Sequence, residues 1–181
     1  MSFSRIEKIH FVLNPNAGNG SPLKFFPEIE EELISKNVKY TVFKSQGKND
    51  IFNHVISDEI PECDVICAMG GDGTIHETAD GLMQSGKASD LAFSVIPSGT
   101  GNAFAQTLGE LKPKKAIQKI LQGERQEIDA MEIRQGSKVS YAVNIIGWGM
   151  ASRVNQISDQ LRILGGIRYN IASLIGIATM K

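Results

Sequence analysis

A chain of 181 residues with 19 Lys plus Arg against 20 Asp plus Glu carries a formal charge of −1, a balance that excludes a polybasic nucleic-acid binder and an acidic-tail protein. Apolar residues at 41% and charged residues at 22% describe a globular domain able to bury a core, not a disordered chain. Two cysteines cannot build a disulfide framework and point to a reducing, cytoplasmic compartment. Met1 is followed by Ser, Arg, Glu and Lys rather than an apolar run, which reads as no signal peptide, and no apolar run approaches the roughly 20 residues that span a bilayer.

In chain order, Ile9–Leu13 is a short apolar run and reads as a strand. The loop Asn14–Gly20 follows. Ser21 and Pro22 look like an N-cap and first helical position, and Phe26, Ile29 and Leu33 fall at helical spacing, with Pro27 expected to kink or delay the helix. Val38–Phe43 predicts a second strand, and Asn49 a cap for a short helix carrying Ile51, Phe52, Val55 and Ile56. Asp64–Met69 is a nearly continuous apolar run, as in a buried parallel strand. The turn Gly70–Thr74 then opens a helix with Thr74 and Glu77 in capping-box spacing. Ala92–Ile96 predicts a fourth strand, running into Pro97-Ser98-Gly99-Thr100-Gly101-Asn102 and a helix stopped by Gly109. Pro113 starts another helix and Gly123 ends it.

Strand, loop and helix in repetition predict an α/β fold, a doubly wound parallel sheet covered on both faces. Its three glycine-rich turns would gather at the carboxyl edge, where ligands bind. After Gly123 the pattern changes. Ile128–Arg134 and Lys138–Ile146 read as strands joined by Gln135-Gly136-Ser137, with helical patterns at 155–163 and 167–179. The expected division is an α/β nucleotide-binding domain at 1–123 and the start of an antiparallel, β-rich second domain at 124–181. That second part is too short to bury its own apolar face. The chain therefore reads as truncated, and alone as a poor enzyme.

Glycine lets backbone N–H groups approach a phosphate, and a helix N-terminus adds favourable partial charge. Gly70–Thr74 offers both, although a tight strand-to-helix turn also accounts for a Gly-Gly pair. A carboxylate among the glycines repels phosphate unless it acts as a base or as a partner of water, metal or donor groups. Asp72 is that carboxylate. There is no P-loop, no His-Arg-Asp kinase loop, no Gly-x-Ser-x-Gly elbow and no complete dinucleotide fingerprint.

Three segments in this order carry a resemblance: Asn14-Pro15-Asn16-Ala17-Gly18; Gly70-Gly71-Asp72-Gly73-Thr74 with Glu77 and Gly81-Leu82; and Pro97-Ser98-Gly99-Thr100-Gly101-Asn102. Together they resemble the catalytic domain of the diacylglycerol kinase and sphingosine kinase family over nearly the whole chain. The Gly-Gly-Asp-Gly-Thr element alone is also shared with NAD kinases and phosphofructokinases. Ala103 after Asn102, Gly147-Trp148-Gly149, Arg162, Leu164-Gly165 and Arg168-Tyr169 are similar to the sphingosine kinase branch.

The resemblance implies transfer of the γ-phosphoryl group of ATP, with Mg²⁺, to the hydroxyl of a diacylglycerol or sphingoid base at a membrane surface. It implies Asp72 as the base or base-positioning group. Gly71, Gly73, Thr74, Gly99, Thr100 and Gly101 would cradle the triphosphate. Asn14 would touch the nucleotide, with Ser45 standing where the family often has Thr. Glu77 and Asn102 would support the loops, and Arg162 and Arg168 would neutralise charge on the transferred group. No metal-ligand cluster, nucleic-acid partner or transmembrane segment is expected, contact with the membrane is expected to be peripheral, and a homodimer is left open. One departure stands near Trp148. Sphingosine kinases carry an acidic residue there, where this chain has Arg153, which does not attract an amino headgroup and leaves diacylglycerol or another neutral lipid alcohol open. NAD kinase-like phosphorylation of a soluble substrate and a non-catalytic nucleotide-binding or regulatory domain are the alternatives.

The remaining polar residues have plain readings. Cys67 reads as a reduced core thiol and Cys63 as its unpartnered neighbour. His10, His54 and His76 read as isolated, and Glu30–Glu32 as a solvated helix face. Trp148 reads equally as core or as part of a lipid-facing wall, and Ile171–Met180 as a helix packed on further structure.

Overall fold

Four of the apolar runs form one parallel sheet: β1 (Lys8–Leu13), β2 (Lys39–Lys44), β3 (Val65–Gly70) and β4 (Ala92–Pro97), in the order β2-β1-β3-β4. The structure is a computed structural model and describes residues 5–99, 102–109, 112–144, 154, 157–158, 160–161 and 167–178. Each crossover contains a helix: α1 (Ser21–Ser35), α2 (Asp50–Ile56) and α3 (Asp72–Gln84), with α4 (Ala103–Thr107) and α5 (Pro113–Gln122) after β4. In register, Phe11 lies opposite Val42 on one side and Cys67 on the other, and Cys67 opposite Ser94.

Side chains alternate along each strand, so the sheet divides its apolar residues between two layers. Ile9, Phe11, Leu13, Val65, Cys67, Met69 and Ile96 pack with Ile29 and Leu33 of α1 and Ala116 and Ile117 of α5. Val12, Ile66, Ala68 and Val95 pack with Ile51 and Val55 of α2, Ile75 and Leu82 of α3, and Phe104 and Ala105 of α4. Burying each large side chain contributes about 1.5–3 kcal/mol. Coverage on both faces is why β3 is buried at every position and reads as an unbroken apolar run. Cys67 is the core thiol expected, fully buried and unpaired, and burial pushes its thiol well up.

Several local expectations shift. Gly20, at φ 81°, is the N-cap of α1, and Ser21 is already helical. Pro27 lies inside α1 without delaying its start, although it withholds one backbone donor. Gly109 and Gly123, both at φ 75°, are the left-handed stops expected after α4 and α5. The N-cap of α3 is Gly71, not Thr74, because Gly71 is already extended and the helix begins at Asp72.

β5 (Met131–Gln135) and β6 (Lys138–Ala142) form an antiparallel hairpin turning at Gly136, φ 61°. Both strands are shorter than expected, and residues 145 and 146 lie outside the described residues. The chain divides into two compact units, Met1–Asn144 and Ile145–Lys181. The first contains both sheets. In the second, α6 (Arg168–Ala178) buries Ala172, and a Cβ on its Gly176 would lie 3.0 Å from Val154 Cγ2. Most of the helix expected at 155–163 lies outside the described residues. Among the described residues no helix is long and apolar enough to cross a membrane.

Candidate functional site

From β1 the chain moves outward to β2, then crosses back to β3 on the other side of β1. Such a reversal marks the usual ligand position in an open parallel sheet, beyond the carboxyl ends of β1 and β3. The Asn14–Gly20 loop leaves β1 there, the Gly70–Gly73 turn leaves β3, and Ser98–Asn102 leaves the neighbouring β4. Backbone bonds continue the ladder past the strands. Asn14 N donates to Met69 O at 3.1 Å, Ser98 N to Gly70 O at 3.0 Å, and Ser45 N to Leu13 O at 2.9 Å.

These loops touch through glycine. A Cβ on Gly99 would fall 2.2 Å from Gly71 Cα and 2.9 Å from Gly71 N. A Cβ on Gly18, whose φ is +50°, would fall 2.1 Å from Ser98 O. No side chain fits at either contact, so these glycines let the three turns close on one another.

Asp72 is the first residue of α3, where a carboxylate is favoured by the helix dipole. Its Oδ1 accepts the N–H of Ala103 at 2.9 Å, so it also satisfies an orphan donor at the start of α4. Oδ2 has no hydrogen-bond partner among the described residues. Asn102, at φ 54°, closes the last loop on itself: its Oδ1 accepts from Gly99 N at 2.9 Å and its Nδ2 donates to Gly99 O at 2.7 Å.

Thr74 faces inward under the turn. Its hydroxyl is buried without a hydrogen-bond partner among the described residues, and a Cβ on Gly70 would lie 2.3 Å from it. Such an orphan costs about 1–3 kcal/mol unless a ligand satisfies it. Gly73 is exposed, and a Cβ there would meet nothing within 4 Å among the described residues. Asn14 Oδ1 accepts from Asn16 N at 3.0 Å, and Ser45 is buried beside it at the end of β2.

Glu77 makes a different contact from the one expected. Its Oε1 accepts the N–H of Asn49 at 3.0 Å, holding the N-terminus of α2 on α3 instead of bracing the Asp72 turn. Thr100, Gly101, Arg162, Trp148 and Arg153 lie outside the described residues. Arg168 opens α6, and its side chain also lies outside them. Among the described residues no three His, Cys, Asp or Glu side chains cluster as metal ligands.

Three features escaped the sequence reading. The amide of Ala103 carries no side-chain signal. Asp80 shows only as an acid between Ala79 and Gly81 on the buried side of α3. His10 and His54, read as isolated, are hydrogen-bonded through their Nε2 atoms at 2.9 Å, with His10 Nδ1 2.7 Å from Thr41 Oγ1 and His54 stacked on Phe43 at 3.9 Å.

Residues 8–133 match the diacylglycerol kinase catalytic domain family. The chain belongs to that family. It is 24% identical to sphingosine kinase 1 of Arabidopsis thaliana, over 100% of this chain and 39% of that protein. It is 25% identical to sphingosine kinase 1 of Rattus norvegicus, over 96% and 49%, and 27% identical to sphingoid long chain base kinase 4 of Schizosaccharomyces pombe, over 84% and 34%. A solved diacylglycerol kinase structure from Bacillus anthracis str. Sterne superposes with a TM-score of 0.60 at 25% identity, covering 70% of this chain and 46% of that one. The chain thus spans half or less of the length of these relatives.

Proposed function

We propose that this diacylglycerol kinase family chain carries the ATP-binding part of a lipid kinase that moves the γ-phosphoryl group of ATP to a lipid hydroxyl. The observation that carries the reading is the mutual contact of three glycine turns, one of them leading into Asp72, beside the topological switch point. Phosphoryl transfer needs positioning and charge stabilisation more than covalent participation. Backbone N–H groups at the head of α3, with Gly71, Gly73, Gly99 and Gly101, suit a triphosphate, and the orphan hydroxyl of Thr74 suits one of its oxygens or the shell of its Mg²⁺. Mg²⁺ would screen charge on the phosphate oxygens.

Asp72, bound to Ala103 through one oxygen, keeps the other for the acceptor hydroxyl. As the lipid oxygen bonds to the γ-phosphorus and the bond to the ADP oxygen breaks, the hydroxyl proton passes to this carboxylate. Asn14 and Ser45 would border the nucleotide, and Thr100, Arg162 and Arg168 would complete the phosphate shell. Residues 1–123 supply the nucleotide half in this reading, and 124–181 begin the lipid half. Arg153 favours a neutral lipid alcohol such as diacylglycerol over an amine, presented by a membrane surface.

The test is transfer from labelled ATP by the intact protein to diacylglycerol, a sphingoid base and NAD in parallel. Lipid phosphorylation is expected; label on NAD alone would place the chain with soluble-substrate kinases.

A further inference from the structure

Asp80 is a carboxylate on the buried side of α3, 8% exposed and outside the phosphate site. Its Oδ1 accepts the backbone N–H of Tyr141 at 2.7 Å and Gln84 Nε2 at 2.9 Å. Gln84 Nε2 also donates to Val139 O at 3.1 Å. Val139 and Tyr141 stand two apart on β6, so this carbonyl and this N–H share the edge that faces away from β5. The pairing of Val139 with Arg134 and Tyr141 with Glu132 agrees, since both would be pairs whose backbone bonds point outward. Asp80 and Gln84, one helical turn apart, therefore present β6 with the acceptor and donor that a neighbouring strand would offer.

Apolar contact alone does not require this arrangement. A buried carboxylate is costly unless hydrogen-bonded, and it gives up far more hydration than a leucine would. What it supplies is register: one acceptor placed against one N–H of the strand. The helix that bears it starts at Asp72, about 12 Å away along the axis.

On the lipid-kinase reading above, we propose that Asp80, with Gln84, is a positioning residue for phosphoryl transfer. It fixes the β5–β6 hairpin in register on the helix that begins with the base, and so sets where the acceptor half of the protein departs from Asp72. It touches no reacting atom. Its effect falls on how the lipid hydroxyl is presented, not on how ATP is held.

The experiment compares Asp80→Leu, Asp80→Asn and Gln84→Leu in the intact protein. It measures amide exchange at Tyr141, the ATP dissociation constant and steady-state lipid kinetics. Asp80→Leu is expected to speed exchange at Tyr141 and raise the lipid KM roughly 10-fold, with ATP affinity within about twofold of wild type, the scale set by small misplacements of a reacting group. Asp80→Asn keeps an oxygen that accepts both bonds and is expected to restore both readouts. Gln84 is exposed, so Gln84→Leu keeps the fold and gives a smaller shift of the same kind. Lipid KM and kcat at wild-type values in Asp80→Leu or Gln84→Leu, with only thermal stability lowered, overturn the positioning role, as does failure of Asp80→Asn to rescue. Absence of lipid turnover in the wild type instead overturns the kinase reading itself, and the positioning role falls with it.

Discussion

The carboxylate of Asp72 accepts the backbone N–H of Ala103 at 2.9 Å, joining the head of α3 to the head of α4. One side chain thus ties the Gly70–Gly73 turn to the segment that follows β4, and its second oxygen has no hydrogen-bond partner among the described residues. The two tasks separate by substitution. Asp72→Asn keeps an acceptor for Ala103 and, on the proposed reading, loses the base, so lipid phosphorylation is expected to fall about 10²–10⁴-fold with little change in melting temperature. Asp72→Ala loses the cap as well and costs about 1 kcal/mol more in stability. Wild-type turnover in Asp72→Asn on the accepted lipid removes Asp72 from the role of base.

Gly99 and Gly73 give opposite expectations for the same change. Gly99→Ala drives a methyl group to 2.2 Å from Gly71 Cα, where only backbone can yield. It is expected to cost about 1–3 kcal/mol and to weaken ATP binding. Gly73→Ala meets nothing within 4 Å and sits in the first turn of α3. Its helix gains roughly 0.5–1 kcal/mol, yet on the proposed reading the methyl group stands where a phosphate approaches. A melting temperature at or above wild type with lower ATP affinity by calorimetry is the expected pair of results. Unchanged affinity in Gly73→Ala places the triphosphate elsewhere.

How far the sequence could be read follows from which interactions are local. The strands, their helices and the glycine stops are written in periods of two and 3.6 and in left-handed turns, so the parallel sheet and its loop-bearing carboxyl edge are legible in the sequence. The three loops were legible as motifs. Contacts between loops were not, because Ala103 and Ser98 meet their partners through backbone atoms. The capping-box reading at Thr74 failed for a local reason: extended Gly71 already ends the strand, which places Thr74 inside the helix against Gly70. Glu77, free of that box, reaches Asn49. His10 and His54 are 44 residues apart, and only the packing of α2 on the Val12 face of the sheet brings them together.

Thr74→Val isolates the orphan hydroxyl. The exchange keeps the shape and removes a buried oxygen without a partner. Without nucleotide the variant is expected to be about 1–2 kcal/mol more stable than wild type in denaturant. If the hydroxyl is held ready for the triphosphate or its Mg²⁺, the same variant binds Mg-ATP more weakly. Equal stabilisation of both proteins by Mg-ATP, measured as the rise in melting temperature, would leave the hydroxyl without a ligand role.

The histidine pair makes stability depend on pH. Burial, and secondarily the charge of His54, lowers the His10 pKa from its ordinary 6.5 to about 4. Burial also lowers that of His54, with Lys87 acting the same way and Glu59 and Asp50 opposing it. Both rings are therefore neutral in the folded protein at pH 7, one Nε2 donating to the other. As pH falls below about 6.5 the unfolded chain takes up protons that folded His10 refuses, so stability declines down to about pH 4, where the folded ring protonates too. The His10 shift corresponds to about 3 kcal/mol over that window, and His54 adds in the same direction. In His10→Leu, Thr41 and His54 lose a partner and stability at pH 7 falls, but the decline between pH 6.5 and 4 is expected to shrink by a similar amount. Urea denaturation of both proteins across that range measures it. Parallel profiles would show that folded His10 takes up its proton as readily as the unfolded chain does, and that burial does not hold the ring neutral.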